Sequence, residues 1–216
     1  MSLTLRQLEA ALLFRQPDLA FSETEKFLCA TGSFHVYETL DGSNVLDSFE
    51  VLFGFGRDFP AFEPYIAETG KRLPREIDRH VYPWGQCCTC VWPQWRGTTE
   101  KVSVKAFVDG PVRDFFLSQL YFEQHKDWPF GEWKHGKSGL IEAAKAMLGL
   151  SSLDLSEQQL RAYMNAATAK SVKGHWSCPC GSGKRLRDCH REQVEALNRQ
   201  VSKLDVRRLL KDIKGS

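Results

Sequence analysis

No run of apolar residues in this chain approaches the roughly 20 that a membrane-spanning helix needs. The N-terminus, "MSLTLRQLEAALLFRQPDL", lacks a cationic segment followed by an apolar one, so no secretory signal is read there. The seven cysteines are an odd number and cannot all pair. These absences together predict free thiols in a reducing cytoplasm, with no membrane partner. Internal repeats and low-complexity tracts are also missing. So is any phosphate loop of the G-x-x-x-x-G-K-[ST] kind, and any ATP-driven activation must therefore come from another protein. Aromatic residues are absent from "REQVEALNRQVSKLDVRRLLKDIK", which withholds the stacking platforms of single-strand binders and argues against a nucleic-acid partner.

What remains is a 216-residue chain, 42% hydrophobic and 26% charged, able to bury a core in one domain plus an appendage. Its charge is uneven. Residues 171–216 hold 11 Lys and Arg against 5 Asp and Glu, net +6, which leaves residues 1–170 at −4 of the formal +2. Val194, Leu197, Val201 and Leu204 recur at spacings of three and four, so the basic tail reads as an amphipathic helix with a solvated charged face.

The densest chemistry lies in "CPCGSGKRLRDCH", residues 178–190. Cys178, Cys180, Cys189 and His190 are four soft-to-borderline donors, the usual complement of a closed structural zinc site. Gly181-Ser182-Gly183 between them permits a sharp turn. So short a loop buries little apolar surface, and a metal is needed to offset its ordering entropy. The spacing resembles the SEC-C motif, the zinc-binding segment at the C-terminus of SecA. That resemblance implies the same four residues as ligands of a structural Zn2+, with His175 a bystander.

Upstream, "LSEQQLRAYMNAATAK" predicts a helix opened by a Ser156/Gln159 capping box. The chain begins with another, "TLRQLEAALLFRQ", capped by Ser2 or Thr4. "FHVYETL" and "SFEVLFGFG" alternate as strands around an Asp41-Gly42 turn. "RDFPAFEPYIAETG" is extended but irregular, because Pro60 and Pro64 forbid a central strand. "VRDFFLSQLYFEQ" and "SGLIEAAKAMLGL" are later helices. The predicted organisation is an α+β domain over 1–150, a helical connector over 151–172, a zinc-binding motif over 173–190 and a basic amphipathic helix over 191–216.

"RHVYPWGQCCTCVWPQW", residues 79–95, carries His80, Gly85, Cys87, Cys88 and Cys90. The cysteines read as small buried hydrophobes, as ligands of a second metal with His80, or as a nucleophile. A helix, the meander strand "FEVLFGF", "DFPAFEP" and then "RHVYPWGQCC" resemble the ubiquitin-conjugating enzyme fold. The resemblance implies Cys88 as the thioester-forming cysteine, with Gly85 as the turn glycine and His80 in the place of that family's histidine. Val81-Tyr82 stands where Pro-Asn would be, so the asparagine that helps hold the oxyanion is absent from its usual place. "DGPVRDFFLSQL" and "WPFGEWKHGKSGLIE", ahead of a terminal SEC-C motif, are similar to the divergent bacterial conjugating-type proteins of short type II CBASS antiphage operons. That similarity implies an acyl transferase acting on the C-terminus of a cGAS-like nucleotidyltransferase. A second copy of the chain remains open as a partner. Two other classes stand beside it: a non-catalytic adaptor, and a thiol hydrolase that would need a histidine and an acid beside the cysteine. "WPFGEWKHGKSG" reads as a capping loop whose Trp128, Phe130 and Trp133 pack on the meander; the alternative brings His135 or Lys137, oriented by Glu132, to the cysteine.

Overall fold

The computed structural model describes residues 2–129, 136–200 and 202–215. In chain order the elements are α1 (Leu5–Leu12), β1 (Leu19–Glu23), β2 (Phe27–Tyr37), β3 (Val45–Gly56), β4 (Tyr65–Glu68), α2 (Trp92–Thr98), α3 (Val104–Phe107), α4 (Arg113–His125), α5 (Gly136–Met147), α6 (Glu157–Thr168), α7 (Arg191–Gln200) and α8 (Lys203–Gly215). The class is α+β, with one four-stranded antiparallel sheet ordered β1-β2-β3-β4. The chain divides into two compact units, Met1–Cys90 with Lys101–Glu132, and Val91–Glu100 with Trp133–Ser216.

In the first unit, Thr4 rather than Ser2 caps α1. Its hydroxyl accepts from the Gln7 amide, and the Gln7 side chain accepts from the Thr4 amide. β2 and β3 are longer than the sequence reading allowed and pair from Phe27↔Gly56 to Tyr37↔Val45. Leu28, Ala30, Phe34 and Val36 alternate on the buried face of β2, and Phe49, Val51, Phe53 and Phe55 on that of β3. α4 lays Phe116 onto this face, its ring 4.7 Å from Phe49 and 5.4 Å from Phe34. Asp41-Gly42 does not form a two-residue turn. The connection spans residues 38–44, closed by the Glu38 amide on the Asn44 carbonyl (3.0 Å) and tied down by Arg113, which donates to the Tyr37 and Glu38 carbonyls.

In the second unit, α2 and α5 pack with α6, α7 and α8 around Leu148, Leu160, Tyr163, Met164, Leu197, Leu209 and Ile213. Ser156 and Gln159 form the expected capping box on α6. The buried Asp205 at the start of α8 takes the guanidinium of Arg96 from α2 and the hydroxyl of Ser202. The expected single helix over 191–216 is two helices. Ser202 accepts from the Asp205 amide and so opens a new N-terminus. The apolar stripe changes with it: Val194 and Leu197 are buried, Leu204 is exposed, and α8 turns Val206, Leu209, Leu210 and Ile213 inward. Val201 lies outside the described residues.

Candidate thiol site and metal centre

Cys88 is positioned by a hairpin grown on the edge of β4. The Gly85 amide donates to the Tyr82 carbonyl and the Tyr82 amide to the Gln86 carbonyl, both at 2.8 Å. This is a tight turn with Pro83 second and Gly85 (φ +92°) in the left-handed position. A Cβ on Gly85 would lie 2.9 Å from the Glu68 carbonyl oxygen. Beyond the turn the Cys87 amide donates to the Ile66 carbonyl (2.8 Å) and the Cys88 amide to the His80 carbonyl (2.9 Å). The bridged segment ends at Cys87, and the three thiols differ in exposure. Cys87 is buried, Cys88 exposed and Cys90 half-buried.

The ribbon preceding the turn is braced from α4. Arg79 is 8% exposed, and its Nε and Nη2 donate to the Gln119 Oε1 at 2.9 and 2.7 Å, while the Gln119 Nε2 donates to the Arg79 carbonyl at 2.9 Å. The same guanidinium lies 4.4 Å above the Phe122 ring. His80 follows with φ +53°, and its ring meets Trp128 edge-on at 6.1 Å. Its backbone carbonyl accepts from the Cys88 amide. Trp128 packs on Phe122 of α4 (4.6 Å).

Solvent reaches Cys88, yet protein atoms crowd its sulfur. Desolvation, reinforced by the charge of Glu63, pushes the thiol up to about 11. Burial drives Cys87 to about 12 and Cys90 well above its ordinary value. Glu63 was not singled out in the sequence. Its charge acts on Cys88, Cys90 and Tyr82, and desolvation holds its own carboxyl at about 7. The only trace was an acid set between Phe62 and Pro64 in a stretch read as irregular. Tyr82 and Trp84 stack 5.0 Å apart on the turn, with Trp84 63% exposed. Lys137, a candidate for the same cleft, pairs with Glu157 at 3.0 Å. Phe130, Glu132, Trp133 and His135 lie outside the described residues.

In the second unit Cys178, Cys180, Cys189 and His190 converge, their ligand atoms all within 4.8 Å of one another. Cys180 Sγ lies 3.6 Å from Cys189 Sγ, and His190 Nδ1 lies 3.4 and 3.2 Å from the sulfurs of Cys178 and Cys189. Zinc bonds of about 2.0 to 2.3 Å in a tetrahedron give donor separations of about 3.5 to 3.8 Å, so that the pairs at 3.4 and 3.6 Å lie close to that range and the 3.2 Å pair is somewhat tighter. The donor set and its spacing therefore fit a Cys3His metal centre, compatible with zinc. Gly181 (φ +81°) and Gly183 (φ +72°) make the reversal, which the Cys178 amide closes on the Lys184 carbonyl at 2.9 Å. The Ser182 hydroxyl, 3.1 Å from Cys180 Sγ, draws that thiol down to about 6. His175 is exposed and outside the cluster. The loop is not free-standing: Cys178 and Leu186 belong to the buried core of α6, α7 and α8.

Compared with family models, curated proteins and solved structures, the chain matches none.

Proposed function

We propose that the first unit is a cysteine-dependent acyl transferase of the ubiquitin-conjugating kind, and that the Cys3His centre of the second unit is structural zinc. The observation that carries this reading is the placement of Cys88: exposed, directly after a glycine turn, on a hairpin bonded to the last strand of an antiparallel meander. In the reaction, the Cys88 thiolate attacks an activated C-terminal carbonyl of a partner protein. A C–S bond forms and the activating group leaves with its electron pair. A lysine amine then attacks the thioester carbonyl, the C–N bond forms, and the C–S bond breaks to return the thiolate. The proton that the amine loses passes to solvent, next to the charge of Glu63 that acts on Cys88. The partner this reading names is a cGAS-like nucleotidyltransferase of an antiphage operon. His80 stands in the place of that family's histidine, and its carbonyl accepts from the Cys88 amide.

A second reading, a non-catalytic adaptor, is favoured by the raised Cys88 thiol, which at neutral pH is overwhelmingly protonated. One experiment separates the two. Cells holding the chain and the nucleotidyltransferase should contain a covalent adduct of both that thiols dissolve. Cys88→Ala should abolish it, while Cys87→Ser and Cys90→Ser should keep most of it. An undiminished adduct and undiminished activity in Cys88→Ala would leave the adaptor.

A further inference from the structure

The metal cluster has a neighbour that is no part of the ligand motif. Tyr163 sits two turns into α6 and is wholly buried (0% exposed) among Leu160, Met164, Leu186 and Val194. Its hydroxyl lies 2.9 Å from His190 Nδ1 and 3.4 Å from Cys178 Sγ, and its ring meets the imidazole edge-on at 5.7 Å. A buried phenol must find a hydrogen-bond partner, because taking an unpaired hydroxyl out of water costs free energy. The partners nearest this one, His190 Nδ1 and Cys178 Sγ with Cys180 beside them, are all in the metal-ligand set.

We propose that Tyr163 is the hydrogen-bond donor that holds the metal-bound Cys178 thiolate, so that the helical core of the second unit grips the metal through a phenol. When Nδ1 spends its lone pair on the metal, it can no longer accept, and the sulfur is the acceptor left to the phenol. A thiolate bound to a divalent cation still carries lone pairs and excess negative charge. An O–H pointed at it lowers that charge and fixes the direction of the Cys178 side chain. Outer hydrogen bonds of this kind typically change metal affinity 10- to 100-fold. The same contact ties folding to loading, since Tyr163, Cys178 and Leu186 are neighbours in one buried cluster.

The inference rests on the metal reading of the Cys3His cluster, and the experiment separates the two. The full-length protein and Tyr163→Phe are each reduced, stripped and titrated with zinc against a competing chelator, then loaded with cobalt for spectroscopy. Tyr163→Phe should still bind one metal and keep the tetrahedral thiolate absorption of cobalt, with zinc affinity reduced at least tenfold. Equal affinities in the two proteins would overturn the hydrogen bond and leave the zinc site standing. A changed cobalt coordination spectrum would make the phenol a ligand and overturn its role as donor. Failure of the unaltered protein to bind zinc would remove both. Should Tyr163→Phe not fold, the unaltered protein loaded with cadmium-113 gives the answer by nuclear magnetic resonance. The buried Tyr163 hydroxyl proton should show scalar coupling to cadmium through the Cys178 sulfur, and absence of that coupling would sink the proposal.

Discussion

The Cys88 amide hydrogen-bonds the His80 carbonyl at 2.9 Å, and His80 directly follows the residue that α4 holds through Gln119. The exposed thiol is thus fixed at two removes by a side chain far away in sequence, and its setting is a property of the first unit as a whole.

That linkage can be weighed through Gln119. Gln119→Leu leaves the buried Arg79 guanidinium without its oxygen acceptor and the Arg79 carbonyl without a donor. Stranding one buried polar group costs about 1 to 3 kcal/mol. Urea unfolding should show a loss of that order, with alkylation of Cys88 altered in the folded protein.

Gly85 is the most constrained point of the turn. Gly85→Ala sets a Cβ against the Glu68 carbonyl and the Arg75 guanidinium at a φ of +92° that L side chains rarely adopt. Backbone strain of this kind costs on the order of 1 to 3 kcal/mol. The melting temperature should fall measurably, and the protons of the Glu68 and Cys87 amides should exchange faster.

Thiol reactivity follows pH with a definite sign. Because the Cys88 thiol is raised to about 11, its alkylation rate should climb about tenfold per pH unit from pH 7 and level off only near 11. Glu63→Gln removes an anion that raises this thiol, so the profile should move to lower pH and the rate at pH 8 should increase. The shift should be partial, since desolvation is the larger cause. Peptide mapping after timed alkylation reads both effects.

The Glu63 carboxyl supplies an independent check. Held at about 7, above its ordinary range, it binds a proton more tightly in the folded chain than in the unfolded one. Its contribution therefore falls as pH rises from about 4.5 to 7. Glu63→Gln should stabilise the protein at pH 8 relative to pH 4, as comparison of thermal unfolding at the two pH values will show.

Removing the metal should act on more than the ligand loop. Cys178→Ser, or chelation, should speed hydrogen exchange through residues 173–190 and on into α6 and α7, because Cys178 and Leu186 are part of the core those helices share. β2 and β3 should keep their protection.

Much of the architecture could be read from periodicity and capping. Thr4 with Gln7, and Ser156 with Gln159, announce two helices by side-chain chemistry that acts within four residues. The alternating Phe49, Val51, Phe53 and Phe55 declare a strand for the same reason. The convergence of Cys178, Cys180, Cys189 and His190 was legible because a donor set able to hold a metal shows its residue types and spacing at short range. What escaped depends on long-range packing. The 38–44 connection follows Arg113, which lies 76 and 75 residues beyond the two carbonyls it binds, and not the local Asp-Gly signal. β1 (Leu19–Glu23) is a short strand whose place is set by pairing with β2. Glu63 and Tyr163 carry no motif, and only the folded chain brings them to a thiol and to a metal cluster.

The path of the chain between its two units bears on how the protein can be taken apart. It leaves the first unit at Cys90, spends Val91–Glu100 in the second, and returns at Lys101 before its final passage. A gene fragment stopped at residue 150, where the sequence suggests a boundary, would keep α2 and α5 and discard α6, α7 and α8. Ala144, Met147 and Leu148, all buried in the intact chain in the core they share with those helices, would then face water. Such a truncation creates a sticky apolar surface where a clean module was intended. The two units are interleaved in the gene, and any dissection must respect that splice.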